Sequence, residues 1–336
     1  MISIEAGVAY FDARARRHWE KDLDDMAEIG FTYVVHCVSE FDLRWQKESV
    51  RRLVAATKER GMAVWFDPWG VGEVFGGEPF SRFGAFHPEA RQIRSDGTVT
   101  TSACLNQPDF RDFVRAWVDG VSDLGGDVIF WDEPTWKIDE QTGAWCCRCD
   151  RCQARFRERT GSDLPLERTA EVHAFHEWSM AEFLGDACEY ARARGFRNAI
   201  CIMPPEASNP GFTDWDVAAS IRGLDIFGTD PYWYSFKGEA AEFVARNTRL
   251  TVEVADRHHL DHHVWIQAFE VPGGREEEIA VAIDAAVGAG ARNLAVWSYD
   301  GCSAMSTCEC ERPDLAWDVV RRSLRGSRRP PSRGGR

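Results

Sequence analysis

Short apolar runs alternate with amphipathic stretches along most of this chain. The runs have the length and β-rich composition of buried strands, and the stretches between them carry apolar residues at helical spacing. The eight predicted strands are residues 7–11, 33–38, 63–67, 128–131, 198–203, 224–228, 264–269 and 293–297. The predicted helices are residues 16–29, 47–60, 108–124, 174–194, 215–221, 239–254, 275–289 and 314–324. Strands that alternate with helices at this spacing predict a parallel sheet.

The number of these units decides between two fold classes. Eight strand–helix units in a chain of 336 residues favour a single α/β domain, a (β/α)₈ TIM barrel over residues 1–325 with a Cys-rich loop inserted after strand four. The alternative is a doubly wound open sheet, and no Gly-rich phosphate loop follows the first strand to support it. Residues 326–336 are basic, lack apolar side chains and are expected to form a disordered tail.

Carboxylates and aromatic residues follow the ends of the predicted strands. The carboxyl ends of barrel strands meet at one mouth, where (β/α)₈ enzymes have their active sites. Carboxylates hydrogen-bond hydroxyl groups and aromatic faces stack on sugar rings, so this composition predicts a carbohydrate substrate. Asp12 follows the first strand, and the residues predicted to bind substrate are His36, Asp67, Trp69, Asp132, Trp136, Asp230, Tyr232, Trp233, Trp297 and Tyr299.

These substrate-binding predictions have structural alternatives. His36 is equally typical of a satisfied core histidine, and tryptophans at strand ends also serve in packing. Asp67 and Asp230 can instead cap the helices that follow them. The sequence leaves both readings open for each residue.

Two glutamates are candidates for catalysis. Glu133 and Glu270 follow strands four and seven, which lie on opposite sides of a barrel mouth. Retaining glycosidases hold two carboxyl groups about 5 Å apart, and inverting glycosidases hold them further apart. We therefore predict that Glu133 and Glu270 act as a pair. The alternative is that one or both belong to salt bridges at the rim.

The cysteines are unevenly distributed. Cys147, Cys149 and Cys152 form a Cys-x-Cys-x-x-Cys motif in the loop after strand four. With a fourth thiolate they would form a closed tetrahedral zinc site, which leaves no position for substrate and is therefore structural. Cys104 and Cys146 compete for the fourth position. A second metal site in the loop with Cys302, Cys308 and Cys310 lacks an evident fourth ligand, and residues 258–263, HHLDHH, are expected to form a solvated loop.

With these motifs in hand, the chain resembles the clan of glycoside hydrolases with the acid/base on strand four and the nucleophile on strand seven. It is most similar to the family-42 β-galactosidases, which have a Cys-x-Asn-x-Pro segment before helix three and a Cys-x-Cys-x-x-Cys segment after strand four. Residues 104–108, CLNQP, and 147–152, CRCDRC, match these motifs. The resemblance implies that Glu133 is the acid/base, that Glu270 is the nucleophile, and that Cys104 completes a structural Zn²⁺ site.

Asp132 departs from the pattern of that clan, which usually has Asn before the acid/base. An Asp–Glu pair that ends strand four resembles the family-20 hexosaminidases, in which the Asp orients a 2-acetamido group that acts as nucleophile. It also resembles polygalactosaminidase-like barrels. These resemblances imply an amino sugar rather than galactose, with Asp132 at the 2-position substituent.

Composition and charge narrow the remaining alternatives. The formal net charge of −14 argues against nucleic acid as a partner. No basic segment followed by an apolar segment opens the chain, and no apolar stretch is long enough to span a membrane, so a cytoplasmic protein is expected. Besides a glycosidase, a non-catalytic carbohydrate-binding barrel remains an alternative function. A metal hydrolase is disfavoured because no His-x-His pair or open ligand set ends a strand. The sequence does not determine the oligomeric state.

Overall fold

Eight parallel strands form a closed barrel in the computed structural model, which describes residues 4–11, 15–209 and 211–327. Around the barrel the strand order is β1-β10-β9-β8-β7-β6-β3-β2, and β4 pairs with β5 in a separate two-stranded sheet. The strands are β1 Glu5–Tyr10, β2 Tyr33–Cys37, β3 Ala63–Asp67, β4 Arg91–Ile93, β5 Val99–Ala103, β6 Val128–Asp132, β7 Arg197–Ile202, β8 Ile226–Thr229, β9 Asp261–Gln267 and β10 Asn293–Trp297. The predicted (β/α)₈ barrel is confirmed.

Helices surround the barrel, as a parallel sheet requires. They are α1 Arg16–Ile29, α2 Glu40–Trp45, α3 Lys47–Glu59, α4 Phe83–Phe86, α5 Pro108–Ser122, α6 Asp150–Thr160, α7 Ala170–Arg192, α8 Trp215–Ala219, α9 Ala240–Arg257, α10 Glu277–Gly288 and α11 Pro313–Ser327. Short 3₁₀ turns occur at Val71–Glu73, Pro88–Ala90 and Tyr299–Cys302. No helix in the described part of the chain is both long enough and apolar enough to cross a membrane.

Some boundaries differ from the sequence prediction. Residues 68–107, between the third predicted strand and the third predicted helix, contain α4 and the β4–β5 hairpin, whose strands are too short to give a periodic signal. Helix α6 directly follows the Cys-rich loop and was not predicted, because its charged sequence has only a weak apolar stripe. Helix α11 extends to Ser327. Asp12 and residues 328–336 of the predicted tail lie outside the described residues.

Aromatic side chains fill the barrel below its mouth. Tyr33 stacks on Trp65 with ring centroids 4.3 Å apart, and Phe130 packs against Trp265 at 5.1 Å. A Cβ atom at Gly7 would collide with the ring of Tyr33, so glycine on β1 makes room for this layer. The barrel is therefore a packed core rather than a pore.

The prediction of a solvated loop at residues 258–263 is wrong for the second half of this segment. Asp261 opens β9, and His263 is fully buried, where its Nε2 lies 2.9 Å from the carbonyl oxygen of Ile200. Burial lowers the pKa of His263 to about 4, so its ring is a neutral core group. Period-two alternation places His263 inside the barrel, which residue composition alone did not reveal.

The opposite end of the barrel contains a cavity of about 660 Å³. Its rim carries ion pairs between Lys58 and Asp127 at 3.0 Å and between Arg197 and Asp261 at 2.5 Å. Residues at this amino-terminal face of a (β/α)₈ barrel usually contribute to stability, and the predicted site residues lie at the other end.

Candidate active site at the barrel mouth

Three buried aspartates line the mouth. Asp67 ends β3, Asp132 ends β6 and Asp230 directly follows β8. Their side chains come together because the carboxyl ends of parallel barrel strands meet in one layer. The relative exposure is 0% for Asp67, 8% for Asp132 and 1% for Asp230. We call these three residues together with Glu133 the mouth carboxyl cluster.

Burial raises the pKa of all three aspartates well above the ordinary value. For Asp67 the negative charge of Glu133 adds to burial, and for Asp132 the charge of Asp67 does so. Apart from the weak thiol donor of Cys37 beside Asp67, the oxygens of Asp67 and Asp230 accept no hydrogen bond from a donor among the described residues. These carboxyl groups are therefore protonated more readily than exposed ones and are available to a ligand.

Glu133 is in direct contact with Asp230. The two carboxyl groups are within hydrogen-bonding distance, which raises the pKa of Asp230 further. The negative charge of Glu133 next to this buried carboxyl group favours the protonated form of Asp230. Glu133 is half-buried, whereas Asp230 lies behind it in the barrel. The arrangement presents a proton-bearing carboxyl group at the mouth.

The backbone of Glu133 is held in an uncommon conformation. Its φ angle is +37°, and its N–H donates to the carbonyl oxygen of Cys201 at 3.1 Å. A non-glycine residue in the left-handed region costs on the order of 1 kcal/mol or more, and such residues cluster at functional sites. The turn aims Glu133 away from the path of β6 and toward Asp230.

The loop after β3 folds over Asp132. The N–H of Gly76 donates to the carbonyl oxygen of Asp132 at 3.0 Å, and the N–H of Gly70 donates to the carbonyl oxygen of Gly76 at 2.8 Å. A Cβ atom at Gly76 would overlap Oδ2 of Asp132, and one at Gly77 would overlap the ring of Trp69. Glycine is therefore required here for the close approach of the loop to the mouth.

Two of the predicted tryptophans expose part of their surface at the mouth. Trp69 stacks on Phe11 at 4.9 Å, and Phe11 packs against Trp297 at 5.7 Å. The indole nitrogen of Trp69 is buried and has no hydrogen-bond partner among the described residues. Tyr232 lies against the mouth carboxyl cluster, where burial and then Asp230 raise the pKa of its hydroxyl group. The hydroxyl group therefore stays protonated and can donate a hydrogen bond.

Trp136 and Trp233, which were predicted as sugar platforms, lie instead in packing positions. Trp136 is 3% exposed, donates its indole N–H to the carbonyl oxygen of His176 at 3.3 Å and packs on that histidine ring. Trp233 is 1% exposed and donates to Oε2 of Glu278 at 2.8 Å. Both side chains point into the layer between the barrel and its helices.

His36 and Tyr299 likewise lie in packing positions. His36 lies within β2, and its Nε2 is 2.9 Å from the hydroxyl of Thr57 on α3. Successive residues of a strand point to opposite faces, and His36 points outward to the helices. Tyr299, in the 3₁₀ turn after β10, donates to Oδ1 of Asp22 at 3.3 Å and packs edge-on against Trp317.

Glu270 lies on the loop after β9, whereas Glu133 lies on the loop after β6. It is exposed, has a φ angle of +50° and donates its N–H to the carbonyl oxygen of Cys308 at 2.8 Å. Its carboxyl group contacts the thiol of Cys308. Glu133 contacts Asp230, whereas Glu270 contacts the loop after β10, and the catalytic pairing of the two glutamates remains a prediction.

Glu78 is a carboxylate that the sequence reasoning missed. It lies in the loop after β3, and its negative charge raises the pKa of both Asp67 and Asp132. The sequence signal was the pair of glycines at positions 76 and 77, which indicates a backbone that approaches another group closely. Without the tertiary structure that signal did not identify which group was approached.

Four buried cysteines lie close enough to hold a metal ion. They are Cys104, Cys147, Cys149 and Cys152, and their sulfur atoms lie within 4.8 Å of one another. The Sγ atom of Cys104 is 3.4 Å from that of Cys152 and 3.5 Å from that of Cys149. Four thiolates at about 2.3 Å from a tetrahedral zinc ion are separated by roughly 3.8 Å, so the arrangement fits such an ion.

Hydrogen bonds from nitrogen donors surround these sulfur atoms. The backbone N–H groups of Ile93 and Cys149 each donate to Sγ of Cys147 at 3.4 Å, and Asn106 Nδ2 donates to Sγ of Cys152 at 3.3 Å. Such donors are what metal-bound thiolates need in a buried site. Cys146 is buried outside this group, so the geometry favours Cys104 as the fourth ligand.

Comparison with known proteins gives the fold but not a family. No protein-family model matches the sequence, and no curated protein matches it. The β-amylase catalytic domain of Paenibacillus polymyxa superposes with a TM-score of 0.67 at 10% identity, covering 98% of this chain and 99% of that one.

Two further solved structures show how varied the similar barrels are. The PgaB (BpsB) glycoside hydrolase domain of Bordetella bronchiseptica has a TM-score of 0.63 at 14% identity, covering 94% of this chain and 99% of that one. D-psicose 3-epimerase of Clostridium cellulolyticum H10 has a TM-score of 0.53 at 11% identity, covering 97% and 98%. At these identities the likeness establishes the barrel alone.

Proposed function

We propose that the protein is a glycoside hydrolase whose reaction takes place at the mouth carboxyl cluster, with Glu133 as the proton donor. The observation that carries this proposal is the contact between Glu133 and Asp230 at the carboxyl end of the barrel, where burial and then Glu133 raise the pKa of Asp230 well above its ordinary value. Glu133 faces the mouth and protonates the glycosidic oxygen, and Asp230 supports it from behind. Trp69, Trp297, Tyr232 and Asp67 bind the sugar.

Two groups are candidates for the attack on the anomeric carbon. In the retaining double displacement, Glu270 is the nucleophile and Glu133 afterwards activates water. In the substrate-assisted route, a 2-acetamido group of the substrate attacks, and Asp132 orients it. The second route is favoured by the burial of Asp132 under Gly76 beside Glu133, whereas Glu270 is exposed and contacts Cys308.

Replacement of Glu270 by glycine in the presence of azide separates these routes. Rescue of activity by azide with a glycosyl azide product would support Glu270 as the nucleophile. Near-normal activity of Glu270→Gly without azide would assign the attack to the substrate and leave Glu133 as the only essential glutamate of the pair.

We also propose that the four cysteines hold a structural Zn²⁺ ion, as the resemblance to family-42 β-galactosidases implies. All four ligand positions are filled by Cys104, Cys147, Cys149 and Cys152, so the ion would fix the loop after β6 to the segment between β5 and α5 and would take no part in the reaction. None of the eleven cysteines forms a disulfide, which supports the cytoplasm as the place of action.

The proposed function is tested with a panel of aryl galactosides and aryl N-acetylhexosaminides, both α and β. Wild type is compared with Glu133→Gln and with Glu140→Gln, an exposed glutamate outside the mouth carboxyl cluster. Loss of a general acid lowers kcat by about 10²–10⁴-fold, so only Glu133→Gln should lose turnover. Equal activity of Glu133→Gln and wild type would rule out the assigned role. Absence of turnover by wild type, with sugars that still raise Tm, would indicate a carbohydrate-binding barrel instead.

A further inference from the structure

A continuous chain of contacts joins Glu78 to Glu270 across the mouth. The hydroxyl of Ser306 donates to Oε1 of Glu78 at 3.0 Å, and the N–H of Cys308 donates to that hydroxyl at 3.2 Å. The carbonyl oxygen of Cys308 in turn accepts from the N–H of Glu270, and its thiol contacts the carboxyl group of Glu270. The loop after β10 therefore holds two carboxylates that come from the loops after β3 and β9.

The position of Glu78 is fixed from its other side as well. Gly76 packs on Asp132 and Gly77 packs on Trp69, with no room for a side chain at either position. Glu78 follows directly and is exposed. Its negative charge raises the pKa of Asp67 and Asp132 on one side and the pKa of Cys302 and Cys308 on the other. Glu78 thus lies between the mouth carboxyl cluster and Glu270.

The charge of Glu78 is not compensated by the protein. No lysine, arginine or histidine among the described residues forms an ion pair with it, and the hydrogen bond that it accepts comes from Ser306, an uncharged donor. Holding a carboxylate beside buried acidic groups is unfavourable in the folded state. The fully buried Asp67, whose pKa the charge of Glu78 raises, likewise lacks a conventional donor among the described residues. Such uncompensated polar groups are expected where a ligand supplies the missing donors.

We propose that Glu78 is a substrate-binding residue, which accepts hydrogen bonds from the sugar at the edge of the mouth between the mouth carboxyl cluster and Glu270. This inference rests on the proposed function, because it assigns the sugar to the same mouth. Glu78 contributes binding in both the ground state and the transition state, and it takes no part in proton transfer to the glycosidic oxygen. The loop after β3 would then serve as one wall of the sugar site.

The test compares Glu78→Gln with Glu140→Gln as a matched control. Glu140 is also exposed and accepts from a serine hydroxyl, that of Ser208 at 3.2 Å. A hydrogen bond from substrate to a charged group contributes roughly 10- to 100-fold in affinity. Glu78→Gln should therefore raise KM by about 10-fold or more with little change in kcat, and Glu140→Gln should change neither. Ser306→Ala, which releases Glu78, should give a smaller rise in KM.

A pH profile gives a second readout that a purely structural role of Glu78 would not change. Removal of its negative charge lowers the pKa of Asp67 and Asp132, so the profile of kcat/KM should move to lower pH in Glu78→Gln. Kinetic constants and a pH profile equal to those of Glu140→Gln would overturn the inference.

Failure of this inference is distinguishable from failure of the proposed function. If Glu133→Gln abolishes turnover while Glu78→Gln behaves as the control, only the role of Glu78 is wrong. If wild type turns over no glycoside, binding of the same sugars is measured by calorimetry: weaker binding by Glu78→Gln than by Glu140→Gln upholds the inference for a binding protein. Equal binding by the two variants, or no binding by wild type, overturns it.

Discussion

The carboxyl groups of Glu133 and Asp230 are in hydrogen-bonding contact at the barrel mouth, although they follow different strands, β6 and β8. The contact joins a half-buried group that a substrate can reach to one that is buried behind it and whose pKa is raised by burial and by Glu133. This pair, rather than Glu133 alone, is the acidic unit of the site.

Replacement of Asp230 by asparagine should separate the two halves of this unit. The side-chain amide that Asp230→Asn introduces would donate to Glu133 and would stabilise Glu133 as the carboxylate. We expect kcat to fall by about 10²-fold, within the range for general acid catalysis, and the alkaline limb of the pH profile to move to lower pH. Rates on aryl glycosides across pH measure both effects. Wild-type activity and an unchanged profile in Asp230→Asn would contradict the assigned role of Asp230.

Asp300 provides a test of pH-dependent stability away from the mouth carboxyl cluster. Burial, followed by the charge of Asp314, raises its pKa to about 6. Because the folded-state pKa is above the unfolded value of about 3.9, the folded state binds the proton more tightly and loses stability as pH rises from about 4 to about 6. Asp300→Asn removes this loss, and asparagine tolerates the φ angle of +50°. Since Asp300 is only partly buried, we expect a gain on the order of 1 kcal/mol at pH 8 after solvent screening.

The comparison is made by thermal unfolding of wild type and Asp300→Asn at pH 4 and pH 8. The difference in Tm should be near zero at the lower pH and positive at the higher one. Asp96→Asn is the control, for which the difference in Tm at pH 8 should have the opposite sign. The hydrogen bond from the backbone N–H of Thr98 lowers the pKa of Asp96. A gain for Asp300→Asn that is as large at pH 4 as at pH 8 would contradict the assignment.

Replacement of Gly76 by alanine should disturb the mouth without affecting the core. The added Cβ would overlap Oδ2 of Asp132, so the loop after β3 must move away and take Glu78 with it. We expect kcat/KM to fall at least 10-fold and Tm to fall by a few degrees, as for overpacking of about 1–3 kcal/mol. Gly288→Ala is the control, because that position in α10 has open space around it. Equal kinetics for the two variants would show that the loop does not shape the site.

The Cys₄ site predicts one bound metal ion for each chain. Cys149→Ser should lose the metal and much of the stability, because structural zinc contributes directly to the free energy of folding. Cys146→Ser is the matched control, since Cys146 is equally buried but lies outside the four-sulfur group. Elemental analysis and thermal unfolding measure the two effects. Loss of metal from Cys146→Ser, or no zinc in wild type, would refute the ligand set.

The sequence determined the barrel and the ends of its strands. The alternation of apolar runs with amphipathic stretches specified eight strand–helix units, because each buried strand and each covering helix must place its apolar residues with a fixed period. Asp132 and Glu133 were identifiable for the same reason, since they end an apolar run before Pro134. The spacing of Cys147, Cys149 and Cys152 likewise indicated a metal site without knowledge of the fold.

Only the tertiary structure decided which rim residues share a site. Trp69 and Trp233 both follow strand ends, yet one borders the mouth and the other donates to Glu278 behind the barrel. The contact of Glu133 with Asp230, the approach of Glu78 and the choice of Cys104 over Cys146 all join segments that are distant along the chain. Periodicity reports the environment of a residue within its own element, whereas these contacts depend on how loops of irregular backbone close over the mouth, and no local pattern encodes that closure.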